Sequence, residues 1–367
     1  MRVLRERARV GLIIAAVLLA ACGGSNPKGS SASLSSSATS STAATTKSLI
    51  VVSDHDPGDP RSATLRVLRP DGTAVQTLTV KAGSELLGAA GSRIFVRSGT
   101  LLKAIHPDGS VEELGELGGT GPFFASPDGK RWMWGTIDAS QSKVHVAGDG
   151  MSPRVVASSN TDARAIEPYA WTPVGAFLHD SPVGIGGYIL FEPARGPVKK
   201  LDLNSFNASP VAHTDACAFS DMRSDGTIAC FASRQNGFSL VLFPPDGKQQ
   251  TIQLATPRFA LVGDAYFARD GKQVTVAGAT GAGTNGQPEQ YATDRVTVAD
   301  ASISRLAIDG VRLPSFLRWQ SWLEDGSLVV WRPEGAAGGA AGVFIVSPGG
   351  KATQISQGGF PIGVMTG

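Results

Sequence analysis

Nine Asp-Gly pairs, at Asp71, Asp108, Asp128, Asp149, Asp225, Asp246, Asp270, Asp309 and Asp325, punctuate this chain of 367 residues, usually between apolar or β-branched runs. Asp-Gly supplies the positive φ angles that tight hairpin turns require, so each pair predicts a hairpin. The intervals repeat: 21 residues separate Asp128 from Asp149 and Asp225 from Asp246, and the same step joins Gly175 to Gly196, a degenerate pair. The unit reads strand, Asp-Gly turn, strand, polar loop, strand, second Asp-Gly turn, strand. Four short antiparallel strands recurring every 40 to 50 residues or so make a propeller blade. The chain divides into seven such units, residues 49–80, 85–117, 121–157, 168–203, 217–254, 264–310 and 317–356, with six or eight blades as the alternatives. Helical periodicity is essentially missing, and 45 glycines suit turns and crowded inner strands. The expected fold is therefore all-β, a propeller of four-stranded antiparallel blades.

The stretch "FASPDGKRWMWGTIDASQSKVHVAGDGMSPRVV" resembles the blade unit of TolB-type, WD40-like propellers. In those a Ser-Pro-Asp-Gly-Lys turn precedes the second strand and another Asp-Gly turn follows the third. An aromatic often stands three residues before the first aspartate; Trp171, Phe267 and Trp322 hold that place, whereas Ala125 and Met222 depart from it. The resemblance is sharp in the third, fifth, sixth and seventh units, and it implies a fold without implying an activity. The first unit lacks a strand before "LIVVS", and the chain ends in an unassigned "GGFPIGVMTG". A strand at residues 361–365 would close the ring and cover two sheet edges at once.

The opening "MRVLRERARVGLIIAAVLLAAC" sets four arginines before an apolar run, residues 10–21, that ends in small residues at Cys22. A dozen apolar residues cannot cross a bilayer that needs about 20, so residues 1–21 read as a secretory signal. Leu19-Ala20-Ala21-Cys22 resembles the bacterial lipobox, which implies an acylated Cys22 at the mature N-terminus; an ordinary signal cut near Ala21 is the alternative. Residues 22–47 begin with that cysteine and continue in serine, threonine, alanine and glycine, which cannot build a core and read as a disordered tether to a domain at 48–367. Cleavage would leave 29 basic and 30 acidic residues, so the sequence shows no basic stripe and argues against nucleic-acid binding. The expected place is extracytoplasmic, on a bacterial cell membrane or outer envelope, as a monomeric domain. Cys217 and Cys230 flank the turn "DMRSDG" 13 residues apart, which predicts a disulfide between adjacent antiparallel strands in or near direct register; two free thiols offset by two residues are the alternative.

Signals for chemistry are sparse. Gly-x-Ser-x-Gly, the Walker loop and His-Glu-x-x-His are absent, and "GAGTNG" at 281–286 has no following helix to hold a phosphate. Asp54, Asp56 and Asp59 surround a glycine in "SDHDPGD" and offer hard oxygen ligands for calcium, although a solvated hairpin loop explains them as well. No other cofactor is expected. Six tryptophans, at 132, 134, 171, 319, 322 and 331, suit packing between blades better than a sugar-stacking platform. The loops between second and third strands vary most, at 54–61, 138–142, 179–187, 234–237, 279–292 and 333–341. Variable loops on a rigid scaffold carry recognition, which nominates Asp54, His55, Asp56, His179, Asp180 and Arg234 as a binding face. The function expected is a membrane-anchored, non-catalytic propeller that binds a protein or envelope polymer, as a scaffold or sensor. The alternative is a secreted lactonase, lyase or glycan hydrolase with its site at the central channel.

Overall fold

The computed structural model describes residues 48–366, apart from 56–58, 60, 120, 162–163, 183–196, 216, 235–236, 255–260, 282–289 and 315–316. Residues 1–47, read from sequence as signal and tether, and Asp56 lie outside the described residues. Within the rest the fold is all-β, with a short 3-10 turn at Arg318–Ser321. Four separate sheets have four antiparallel strands each in simple chain order, and the last sheet, from Leu328 to Gln357, has three. An eight-stranded sheet consists of two four-stranded groups that touch through one parallel bridge, Gly363 to Ala89. These groups match the sequence units closely. The fourth starts earlier and ends later than expected, at Arg164–Thr172 and Ala208–Pro210, because the polar opening "RAIE" is also paired. In the seventh unit the 3-10 turn and an isolated bridge, Trp322 to Leu328, stand where a first strand was expected.

The C-terminal strand Phe360–Thr366 pairs antiparallel with Ser48–Ser53, supplying the first unit with its missing strand. Both strands are buried along almost their whole length, as continuous apolar runs are when each face is covered. Hydrogen bonds then lead from group to group: Thr366 N–H to Gly91 O, Gly91 N–H to Pro127 O, Ile166 N–H to Ser142 Oγ, Tyr169 O–H to Phe219 O and Ala265 N–H to Ser220 Oγ. Thr293 Oγ1 donates to Val311 O, and Gln320 Nε2 to Val364 O, which returns to the strand of origin.

The Asp-Gly turns differ in one respect from the expectation of positive φ at both central positions. Only the glycine is left-handed, as at Gly72 (φ +86°) and Gly226 (φ +90°). Gly72 N–H donates to Arg69 O, and Arg69 N–H to Thr73 O, which is a type I turn closed by a glycine bulge. The aspartate fills the turn: Asp71 Oδ1 accepts the N–H of Thr73, Asp108 that of Ser110, Asp225 that of Thr227 and Asp270 that of Lys272. The turns also join neighbours, because arginines reach across to turn carbonyls. Arg93 Nη1 donates to Gly129 O at 3.0 Å and Arg223 Nη1 to Gly271 O at 2.9 Å.

Cys217 and Cys230 are joined as a disulfide, with Cα atoms 5.7 Å apart. They are not directly opposite. Phe219 faces Cys230 and a bulge follows at Asp221, so the bond runs diagonally from the residue just before the strand Ala218–Met222.

Candidate functional site

The middle loops and the Asp-Gly turns emerge at opposite ends of the strands, and a groove of about 550 Å3 opens among the middle loops. One wall is the loop after Ser48–Ser53, the other the loop after Leu328–Arg332, and Gly359 and Phe360 close the base. Trp331 and Phe360 meet edge to face there, with ring centroids 4.5 Å apart. Behind Trp331 the Arg312 guanidinium carbon lies 5.6 Å from its ring centroid, within range of a cation–π contact. Gly359 must be glycine: its φ is +83°, and a Cβ would stand 2.7 Å from Ser53 O and 2.8 Å from Val52 Cγ1.

The rim is polar and mostly acidic, with Asp54, His55, Asp59, Arg61 and Glu334. Asp54 anchors its own loop, for its N–H donates to Thr64 O and its Oδ1 accepts Thr64 N–H at 2.7 Å. Arg61 donates to both oxygens of Asp59, at 3.0 Å through Nε and 2.6 Å through Nη2, and its backbone N–H adds a further bond. The side-chain hydrogen bonds from Arg61, then its backbone N–H, hold the Asp59 carboxyl down at about 2. With that pair mutually neutralised, Asp54 and Glu334 leave the rim negative. Asp54 Oδ1 accepts Thr64 N–H and both oxygens of Asp59 accept from Arg61, and among the described residues no cluster of three or more His, Cys, Asp or Glu is grouped for a metal. The groove lining offers no serine, threonine or cysteine nucleophile beside His55. Its lining sets carboxylates and an imidazole beside the Trp331–Phe360 pair.

Of the six residues nominated from sequence, the four whose side chains are described fall into two separate places. Asp54 and His55 line the groove. His179 and Asp180 lie within the strand Gly175–Pro182 of another sheet. His179 Nε2 is 3.6 Å from Glu167 Oε2, its register partner, and its ring tilts against Tyr169. Asp180 receives Lys199 Nζ at 3.4 Å, and its carbonyl accepts from Arg164. Arg234 ends the strand Ile228–Arg234 opposite Gly237, and its side chain lies outside the described residues, as does Asp56. Sequence reasoning missed Trp331, Phe360 and Glu334. Trp132, Trp134, Trp171 and Trp322 are buried as the packing reading expects, whereas Trp331 keeps a partly open face.

Two other hollows compare poorly. One of about 620 Å3 lies on the Asp-Gly side between Asp128–Arg131 and Trp171–Gly175. Its carboxylates are already committed: Ser126 Oγ and Lys130 N–H donate to Asp128, and Arg93 to Asp149. The other, about 50 Å3, lies among Leu87, Phe95, Phe124, Trp171, Leu317 and Gln320 near the inner strands, with no carboxylate or imidazole in its lining.

The fold has relatives among solved structures. Oligogalacturonate lyase from Vibrio parahaemolyticus superposes with a TM-score of 0.53 at 11% identity, covering 84% of this chain and 93% of that one. The tricorn protease gives 0.52 at 11%, covering 84% of this chain but 35% of its own. TolB from Acinetobacter baumannii gives 0.43 at 14%, and the match spans 62% of that protein's length. No protein-family model and no curated protein matches the sequence. At these identities the likeness establishes the fold, a β-propeller, and nothing further.

Proposed function

We propose that this chain is a membrane-anchored, extracytoplasmic β-propeller, its strand groups read as seven blades, that binds a protein or envelope polymer without transforming it. The observation that supports this reading is the groove on the variable-loop side, where an aromatic floor of Trp331 and Phe360 meets a rim kept negative by Asp54 and Glu334. Such a surface favours a partner that lays a basic or hydrogen-bond-donating group over the rings. The lipid anchor implied by Cys22 and the tether at 22–47 would hold the groove near the membrane, within a typical reach of roughly 25 to 30 Å for a flexible linker of that length.

The test is crosslinking in the native cell. A photoactivatable residue placed at Ala341, in the groove lining, should capture a discrete partner, whereas one at Lys130 on the Asp-Gly side should not. Capture should fall when Asp54→Asn and Glu334→Gln are combined, and should weaken with salt, as rim charges predict. Equal capture from both sides, or capture indifferent to these charges, overturns the reading.

A further inference from the structure

A second site lies between the sixth and seventh strand groups. Arg295, on the strand Gln290–Thr297, is only 9% exposed, and its Nε and Nη2 are buried with no hydrogen-bond partner among the described residues. Its guanidinium carbon stands 5.4 Å from the ring centroid of Trp322, whose own indole N–H is buried and unpartnered. Thr275 faces Arg295 directly across the two strands, is fully buried, and its hydroxyl is likewise unpartnered. The acids beside these residues in the chain are engaged elsewhere: Asp294 with Arg305 at 3.2 Å, and Glu324 with Arg269 at 3.9 Å.

Buried charges are ordinarily paired, and a guanidinium does not escape by giving up its proton. Arginine and indole can only donate, and the threonine hydroxyl can turn to donate with them. A water molecule satisfies such a group poorly, because its own two hydrogens would meet further donors. A negative charge answers all three residues at once. Trp322 packs in one buried cluster with the apolar Val311, Leu328 and Val330, surroundings that suit a small ion rather than an organic acid.

We propose that Arg295, Thr275 and Trp322 form an internal binding site for a small monovalent anion of the chloride class, which ties the sixth strand group to the seventh. Bound to the folded chain alone, such an ion raises stability by mass action: the unfolding constant falls in proportion to its concentration once half-saturation is passed.

The experiment measures thermal unfolding in sodium chloride, bromide and gluconate at one ionic strength, so that screening is equal. The midpoint should climb with chloride and bromide and stay level in gluconate, which is too large for the site. Trp322→Phe keeps the ring and removes one donor, and should raise the half-saturating chloride concentration by about tenfold, the worth of one good hydrogen bond. Arg295→Met should abolish the halide response while keeping the fold, since an apolar side chain of similar length needs no counter-charge. Bromide in crystals should give an anomalous peak beside Arg295. A halide response that is absent in the native chain, or unchanged in both variants, overturns the proposal, as does a bromide map empty at this position. Should Arg295→Met fail to fold, Trp322→Phe and the bromide map decide.

Discussion

Gly363→Ala tests the closure with one methyl group. Gly363 sits where the C-terminal strand passes Ser84–Ala90, and an added Cβ would stand 2.5 Å from Ala89 Cβ and 2.6 Å from both Ala89 N and Ala89 O. Comfortable carbon contacts are about 3.5 to 4.0 Å, so the strands must part by roughly an ångström. Neither side can yield by changing rotamer, because most of the obstruction is backbone. Overpacking of this kind costs about 1 to 3 kcal/mol, and a site without a flexible neighbour belongs at the upper end. At about 2 to 4 °C per kcal/mol for a large domain, the melting midpoint should drop by about 6 to 10 °C.

Three companions make the result specific. Ala89→Gly in the Gly363→Ala background removes the methyl contact but leaves the backbone ones, so rescue should be partial. Gly349→Ala is the control, since its Cβ would approach nothing closer than Ser347 Oγ at 3.9 Å. Deleting residues 358–367 removes the buried Phe360, Ile362, Val364 and Met365, worth about 1.5 to 3 kcal/mol each. Their sum rivals the usual total stability of about 5 to 15 kcal/mol, so the truncated chain should not fold. Calorimetry decides it: a Gly363→Ala midpoint equal to that of the control, or a cooperative transition in the truncated chain, refutes the closure.

Three further outcomes follow from the turns and the disulfide. Arg223→Ala severs the bond to Gly271 O and removes the partner 2.5 Å from Asp225, which keeps the N–H of Thr227; a loss of about 1 to 2 kcal/mol is expected in denaturant unfolding, and Arg223→Lys should recover less than half of it. Turn aspartates are depressed below the usual carboxylate range, Asp71 by the N–H of Thr73 and Asp225 by Arg223 first. Their stabilising contribution is therefore present above the unfolded value of about 3.9 and lost as pH falls through the folded values, so the midpoint should hold level from pH 7 to 5 and decline below pH 4; a flat profile down to pH 3 contradicts this. A non-reduced digest should show Cys217 and Cys230 in one crosslinked peptide pair, and two alkylatable thiols would refute the bond.

What the sequence reveals here is what neighbours along the chain decide. An Asp-Gly turn is a matter of four or five residues: the φ of one glycine, the side chain of one aspartate and two backbone bonds. The missing strand of the first unit was legible for a different reason, since seven similar units leave a shortfall at one end and a surplus at the other. Register was not legible, because the bulge between Phe219 and Asp221 shifts the pairing by one residue without any mark in "AFSDM". In "FLHD" the polar pair after an apolar run suggested a loop, yet pairing of His179 with Glu167 and of Asp180 with Ile166 carries the strand past both residues. Arg295 looks like any solvent-facing charge on an alternating strand, and only the next sheet makes it buried.

The groove shows the limit most clearly, and its position has a physical cause. Its lining comes from 54–61, 331–341 and 359–360, segments that lie near opposite ends of the described chain. They meet because Phe360–Thr366 lies against Ser48–Ser53 while the loop after Leu328–Arg332 belongs to the preceding group. Every wall of the groove is thus set by the seam where the two ends of the ring join. Phe360 belongs both to the aromatic floor and to the closing strand, and Gly359 fits only because no side chain stands between it and Ser53 O. Loosening the seam should therefore disturb binding before it unfolds the domain. A mild closure variant such as Met365→Leu, in the core beside Leu49, should weaken capture at the groove although it lies near the far end of the strand from Phe360. Recognition on this reading is built beside the joint that closes the ring, and a bound partner that bridges 54–61 and 333–341 would hold that joint shut.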